Sequence, residues 1–355
     1  MEIMENTKKM NIGIDLGTSR TVIACDNGVR TFIPSYVGYA KDSVTIKMLG
    51  KKVVFGGEAL KYKMGLDLYR PIENGVIKNS NEADINNTEY KKALDVSRDL
   101  LRHVIEMATK DEQADNLIIR GVVGAPALAS LNNKKAILDI TKGILHDVMV
   151  VSEPFTVAYS LGRLYNTLII DIGAGTVDLC RMHGTIPTQE DQITSLFAGD
   201  HIDKTFLSLV LKKYKEANLT VNMIKRFKED NAFVSAQGER VNIDIPIQGK
   251  PTTYDVTDEL RQACREIVPD IVEGIRKLVA EFDPEFQNEL KGNIILAGGG
   301  SQIVGLKKEI EDSMLETLGY GRVIKIEEPL FAGANGALML ARDMPDEYWD
   351  EISSK

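Results

Sequence analysis

The chain has 355 residues, 43% of them apolar, which is ample for two domains of ordinary size, and its formal net charge is −9. No basic run exceeds a pair of residues, so the electrostatic footprint of a nucleic-acid binder is missing. No apolar run approaches the ~20 residues of a membrane span, and the first ten residues lack the apolar core of a signal peptide. The expectation is a cytoplasmic protein with no nucleic-acid partner and no direct membrane insertion. Cys25, Cys180 and Cys264 form an odd set without Cys-x-x-Cys and read as reduced core residues, while His103, His146, His183 and His201 lack metal-ligand spacing with any cysteine.

In chain order, residues 1–9 are expected to be disordered. Ile12-Gly-Ile-Asp15-Leu-Gly17-Thr18-Ser19 reads as a buried strand entering a tight turn with an aspartate at its edge. Residues 21–25 continue into Asp26-Asn27-Gly28, a strong hairpin signal, and then into a strand at 29–33. Residues 34–81 look like an inserted lobe, with a short strand at 53–55. Helical patterning over 87–108 is followed by a strand at 117–123, a helix at 130–142 and a strand at 148–151. Ser152-Glu153-Pro154-Phe155 breaks that strand before a helix at 157–161, so Glu153 falls at a strand-helix junction. The plan then repeats: Leu168-Ile-Ile-Asp171-Ile-Gly173-Ala-Gly175-Thr176 duplicates the first hairpin, with an outgoing strand at 176–182. A long helix begins near Thr257, with apolar Leu260, Cys264, Ile267, Ile271, Ile275, Leu278 and Phe282 on one stripe and an expected kink at Pro269. Ile294-Ile-Leu-Ala supplies a further strand that ends in the bare turn Gly298-Gly299-Gly300-Ser301. Alternating strands and helices imply an α/β architecture.

Glycine lets backbone N–H groups approach phosphate oxygens, and Thr18, Ser19 and Thr176 add hydroxyl donors, so both turns suit anions. A carboxylate beside phosphate requires a cation between them, so Asp15 and Asp171 point to Mg²⁺. One Asp-x-Gly is a weak signal, since strand-to-turn junctions collect these residues for conformational reasons. Two of them with a glycine turn are what clamping a nucleoside triphosphate and its metal between two similar domains requires. A Walker-type loop is excluded, because no Gly-Lys-Ser/Thr occurs.

These segments resemble, in order, the five signature regions of the actin-fold ATPases. Residues 12–21 and 169–178 are similar to the two phosphate loops, 151–161 and 329–337 to the connecting helices, and 294–306 to the adenosine motif. Gly56-Gly57-Glu58-Ala59, Arg70-Pro71-Ile-Glu-Asn-Gly75-Val-Ile and Ala198-Gly199-Asp200-His-Ile-Asp203 resemble the bacterial filament branch typified by MreB. Val151-Ser-Glu-Pro-Phe155, the segment from Gly184 to Gln192, and Pro345-Asp-Glu-Tyr348-Trp349 resemble its magnetosome-associated members.

The resemblance implies an actin-like fold of two duplicated ribonuclease-H-like domains with a nucleotide cleft between them. Domain I would take 10–162 and 327–355, and domain II 163–326 with its own inserted lobe at 201–264. ATP and Mg²⁺ would be the ligands. Glu153 would orient or deprotonate the water that attacks the γ-phosphate, the alternative being a plain acid at a helix N-terminus. Asp15 and Asp171 would hold Mg²⁺ mainly through water, with Asp171 also near the nucleophile. Gly17, Thr18, Ser19, Arg20, Gly173, Gly175, Thr176, Gly199, Asp200, Lys228, Gly298, Gly299, Gly300 and Ser301 complete the implied nucleotide site. Lys225-Arg-Phe-Lys228 departs from the family's Glu-x-x-Lys and lacks the ribose-binding glutamate. Arg20 replaces a residue commonly neutral or histidine, and either adds charge beside phosphate or faces solvent.

The implied function is an ATP-dependent filament, turned over by hydrolysis, that positions and segregates magnetosomes through adaptor proteins. Three other readings have distinct requirements. A cell-shape scaffold needs an amphipathic N-terminal helix or an exposed apolar loop as membrane anchor, a small-molecule kinase needs an acceptor pocket with an aspartate base, and a chaperone needs a substrate domain after the ATPase domain, which the short stretch after Ala337 is not expected to supply. Tyr348 and Trp349 are flanked by acids, which opposes anionic lipid and favours docking on the protein body or a neighbouring subunit.

Overall fold

A computed structural model describes residues 8–81, 87–112, 117–235, 240–247 and 249–353. The chain divides into two compact units: residues up to Arg163 together with those from Leu330 on, and Leu164–Pro329.

The first unit opens with β1 (Lys8–Leu16), β2 (Arg20–Cys25) and β3 (Arg30–Pro34). The β2-β3 hairpin turns at Gly28 with φ 84°, a conformation glycine adopts without a steric penalty. Asn27 holds that turn, accepting from Val29 N at 3.0 Å and donating to the Ala108 carbonyl at 2.9 Å. The inserted lobe follows as β4 (Val37–Ala40), α1 (Ser43–Leu49), β5 (Val53–Phe55), α2 (Gly56–Lys61), β6 (Leu66–Tyr69), β7 (Ile72–Glu73) and β8 (Val76–Ile77). Then come α3 (Thr88–Thr109), β9 (Leu117–Ala125), α4 (Leu131–Thr141), β10 (Asp147–Ser152) and α5 (Glu153–Ser160). The main sheet has the order β3-β2-β1-β9-β10, with β1, β9 and β10 parallel. Ile12, Ile14 and Ile23 pack with Leu100, Leu101 and Val104 of α3 and Ile140 of α4. Lys8 and Lys9, expected in a disordered start, are instead strand residues paired with Leu117 and Ile118, because β9 offers them a ladder; residues 1–7 lie outside the described residues.

The second unit repeats the plan with β11 (Tyr165–Ile172), β12 (Val177–His183) and β13 (Gln192–Ser195), then α6 (Gly199–Lys213), α7 (Val221–Asn231), β14 (Asn242–Ile247) and β15 (Lys250–Asp255). It continues through α8 (Thr257–Arg265), α9 (Val268–Ala280), α10 (Gln287–Gly292), β16 (Ile294–Ala297), α11 (Leu306–Leu318) and β17 (Val323–Lys325). Its sheet order, β13-β12-β11-β16-β17, matches that of the first unit strand for strand. The long helix expected from Thr257 is two helices rather than one kinked rod. Pro269 sits in the first turn of α9, where its missing N–H leaves no ladder bond broken.

The chain returns to the first unit as α12 (Ala332–Asp343) and α13 (Asp346–Ser353). Trp349 of α13 is fully buried, 5.6 Å from the Arg120 guanidinium, while Tyr348 is exposed. Trp349 therefore docks on the protein body.

Candidate functional site

In the first unit, antiparallel pairing of β1 with β2 leaves Gly17, Thr18 and Ser19 as the turn, where a Cβ on Gly17 would come within 2.7 Å of the Arg20 carbonyl. Protein donors occupy the turn's carbonyls. Ser35 Oγ donates to Gly17 O at 2.7 Å, Arg70 Nε to Thr18 O at 2.9 Å, and Ser35 N to Ser19 O at 2.9 Å. Thr18 is buried, and its hydroxyl accepts from Gly75 N at 2.7 Å while keeping its own proton to donate. With its acceptors spent internally, the turn suits an anion. Arg20 extends along the sheet, its guanidinium 5.7 Å from the Phe32 ring.

Asp15 lies between two glycines, with a Cβ at Gly17 or at Gly333 of α12 reaching 3.4 Å from one or other carboxylate oxygen. Burial pushes its pKa up to about 7. Among the described residues no basic side chain pairs with it and no group of three or more His, Cys, Asp or Glu forms a metal cluster. A desolvated carboxylate without a cation fits Mg²⁺ held by few carboxylates and several waters. Glu153 is the first residue of α5, directly after β10. Its side chain lies over Gly124, whose register partners are Asp15 in β1 and Val151 in β10. The parallel strands thus bring Asp15 and Glu153 to one end of the sheet. Helix α12 fixes both from behind: a Cβ on Gly13 would overlap the Ala334 and Leu338 backbone, and one on Gly336 would overlap the Thr156 carbonyl.

In the second unit the turn between β11 and β12 closes with Gly173 N donating to Thr176 O at 2.9 Å. Asp171 stands opposite Asp178 in register, and buried Asp178 accepts from Thr194 Oγ1 at 2.6 Å. Gly298, at φ 74°, lies against the Asp171 carboxylate and the Ile172 carbonyl, and Gly300 lies against the Ile172 side chain, so bulkier residues at either place would collide. Ser301 is buried and donates through Oγ to Gly298 O at 2.7 Å. Gly199 and Asp200 lie at the start of α6, where their N–H groups donate to the Gly173 and Ala174 carbonyls at 3.1 and 2.7 Å. Lys228 of α7 gives its ammonium to the Gly199 carbonyl at 2.8 Å and to Asp203 at 2.7 Å. These three residues therefore brace the turn, in addition to any contact with a ligand.

The structure thus gathers Asp15, Gly17, Thr18, Ser19, Arg20 and Glu153 in one unit, and Asp171, Gly173, Gly175, Thr176, Gly199, Asp200, Lys228 and Gly298 through Ser301 in the other. Sequence reasoning missed Ser35, Gly124, Asp203 and Gly333. Gly124 carried a faint signal, a glycine at a strand end just before Ala-Pro, and Asp203 closed a motif already singled out.

The MreB/Mbl protein family matches residues 9–346. The actin-like protein MamK of Magnetospirillum gryphiswaldense is 39% identical over 344 residues, covering 97% of this chain and 92% of the relative. A MamK double helical filament superposes with a TM-score of 0.88 at 38% identity, over 95% of this chain and 100% of that one. A non-polymerising MamK mutant bound to AMPPNP gives a TM-score of 0.70 at 37% identity, again over 95% and 100%. A match running nearly end to end, on a duplicated sheet plan that carries the same glycine turns twice, means that this chain belongs to the MreB/Mbl family, as an actin-like protein of the MamK type.

Proposed function

We propose that the chain binds ATP with Mg²⁺ through the half-site of each unit, hydrolyses it, and forms filaments whose turnover the hydrolysis drives. The observation that carries this reading is the placement of Glu153 over Gly124, beside Asp15 at the same end of three parallel strands. Bound there, Mg²⁺ would neutralise phosphate charge, with Asp15 and Asp171 holding it mainly through water. Glu153 accepts a hydrogen bond from the attacking water and takes its proton. The water oxygen bonds to the γ-phosphorus as the bond to the β,γ-bridging oxygen breaks. The glycine turns meet the phosphate charge with N–H and hydroxyl donors, and phosphoryl transfer needs little else beyond positioning. The double helical filament of MamK supports assembly, and the AMPPNP-bound, non-polymerising MamK mutant supports nucleotide binding. Head-to-tail contacts that do not close into a ring give filaments. By likeness to MamK, the filaments position and segregate magnetosomes in the cytoplasm through adaptor proteins.

Sedimentation and light scattering with Mg-ATP, Mg-ADP or no nucleotide test this. Polymer should form with Mg-ATP and disperse as phosphate is released, and Glu153→Ala should assemble without hydrolysing or dispersing. Hydrolysis without polymer under any nucleotide would overturn the filament reading.

A further inference from the structure

We propose that Gly124 is a positioning residue for Glu153, setting where the water-orienting carboxylate stands; this rests on the ATPase reading above. A Cβ built on Gly124 lies 2.9 Å from Glu153 Cγ, closer than two carbons approach without repulsion, while its next neighbours are Ile14 O at 3.6 Å and Glu153 Cα at 3.9 Å. The missing methyl is therefore the space that the Glu153 stem occupies. The carboxylate of Glu153 is carried on that stem, so its position depends on the vacancy.

Three features decide how the site answers an added methyl. Gly124 is held on both sides, paired with Asp15 of β1 and Val151 of β10, so the strand cannot retreat. Helix α5 is tied to α12, which touches it backbone to backbone where Gly336 meets the Thr156 carbonyl. Thr156 Oγ1 also donates to the Glu153 carbonyl at 2.7 Å, tying the first turn of α5 to itself. The soft coordinate that remains is the Glu153 side-chain torsion, and rotating it carries the carboxylate away. A displacement of about 1 Å at a catalytic group costs on the order of 100-fold in rate.

Gly124→Ala is expected to lower single-turnover hydrolysis of Mg-ATP by roughly 10- to 100-fold with the affinity for a fluorescent ATP analogue unchanged. Glu153→Ala removes the Cγ, so adding Gly124→Ala to it should lower neither the rate nor the melting temperature further. Gly121→Ala is the control: on the same strand its Cβ would meet Leu145 Cδ1 at 2.6 Å, so it should lower the melting temperature and leave the rate constant alone. A wild-type rate in Gly124→Ala, or an equal loss of melting temperature in both Glu153 backgrounds, would overturn the inference. If the wild-type protein does not hydrolyse Mg-ATP, the ATPase reading fails instead.

Discussion

Lys228→Ala removes the cation beside Asp203, whose side chain is 2% exposed, and Lys228 itself is 11% exposed, so the pair is shielded from water. Breaking a buried pair by deleting one partner costs about 3 kcal/mol or more, because the remaining charge is stranded. The loss should depend on pH in a direction the structure fixes. Burial raises the pKa of Asp203 above its ordinary 3.8, and the Lys228 charge opposes that rise. Without Lys228 the rise grows. Between 3.8 and the folded pKa, the folded chain then holds a proton that the unfolded chain has lost, so stability falls as pH rises through that window. The penalty of Lys228→Ala should therefore shrink as pH is lowered from neutral toward 3.8, and Asp203→Asn should recover part of it in the Lys228→Ala background. Urea unfolding of nucleotide-free protein, followed by circular dichroism, measures this. The single tryptophan, Trp349, lies in the other unit and reports that unit separately by fluorescence. A penalty below about 1 kcal/mol, the worth of an exposed ion pair, or one that does not shrink on acidification, would refute the reasoning.

Trp349→Ala should destabilise the first unit by about 3–5 kcal/mol, since the largest side chain is deleted from a fully buried position; calorimetry of the nucleotide-free protein checks this. Asp191 accepts from Arg181 Nε at 2.9 Å, His183 Nε2 at 3.1 Å, and Thr188 N and Oγ1 at 2.8 and 2.9 Å. Burial opposes its charge, but these donors outweigh burial and hold its pKa below the ordinary carboxylate value of 3.8. That stabilisation is present above 3.8 and is lost as pH falls toward the depressed folded pKa. Asp191→Asn should cost about 2 kcal/mol at neutral pH, and its difference from wild type should narrow in urea melts run at increasingly acid pH.

Both strand-turn-strand hairpins were legible because hydrophobic runs and glycine-bearing turns are local signals, and the two sheets follow directly from them. Asp15, Asp171 and Glu153 were legible as strand-end residues for the same reason. The hidden parts are those that depend on a neighbour distant in sequence. Gly124 looks like any glycine until Glu153 is placed above it. Lys228 reads as a ligand contact until Asp203 appears beneath it at 2.7 Å. Pro269 marks an interruption, but whether the helix bends or restarts depends on what α9 packs against, here a core that includes Ile271, Ile275 and Leu278. Lys8 and Lys9 carry no strand pattern of their own and are ordered by the β9 ladder.

The duplication reaches further than the sheets. In each unit the segment inserted after the hairpin's third strand returns to hold the glycine turn. After β3 it is the lobe carrying Arg70 and Gly75, which binds Thr18 through its carbonyl and its hydroxyl. After β13 it is α6, whose first N–H groups bind the Gly173 and Ala174 carbonyls, with Lys228 of α7 clasping the Gly199 carbonyl behind them. The two clasps differ in their cationic side chain, Arg70 in one and Lys228 in the other, yet each spends the turn's carbonyls on protein donors and leaves the turn suited to an anion. Loosening either insertion thus reaches the glycine turn with no change in the turn's own sequence. For that reason Lys228→Ala, which touches no glycine of the turn, is expected to weaken binding of a fluorescent ATP analogue as well as stability, whereas Trp349→Ala, which lies on α13 against the Arg120 guanidinium and belongs to neither inserted segment, is expected to lower stability alone.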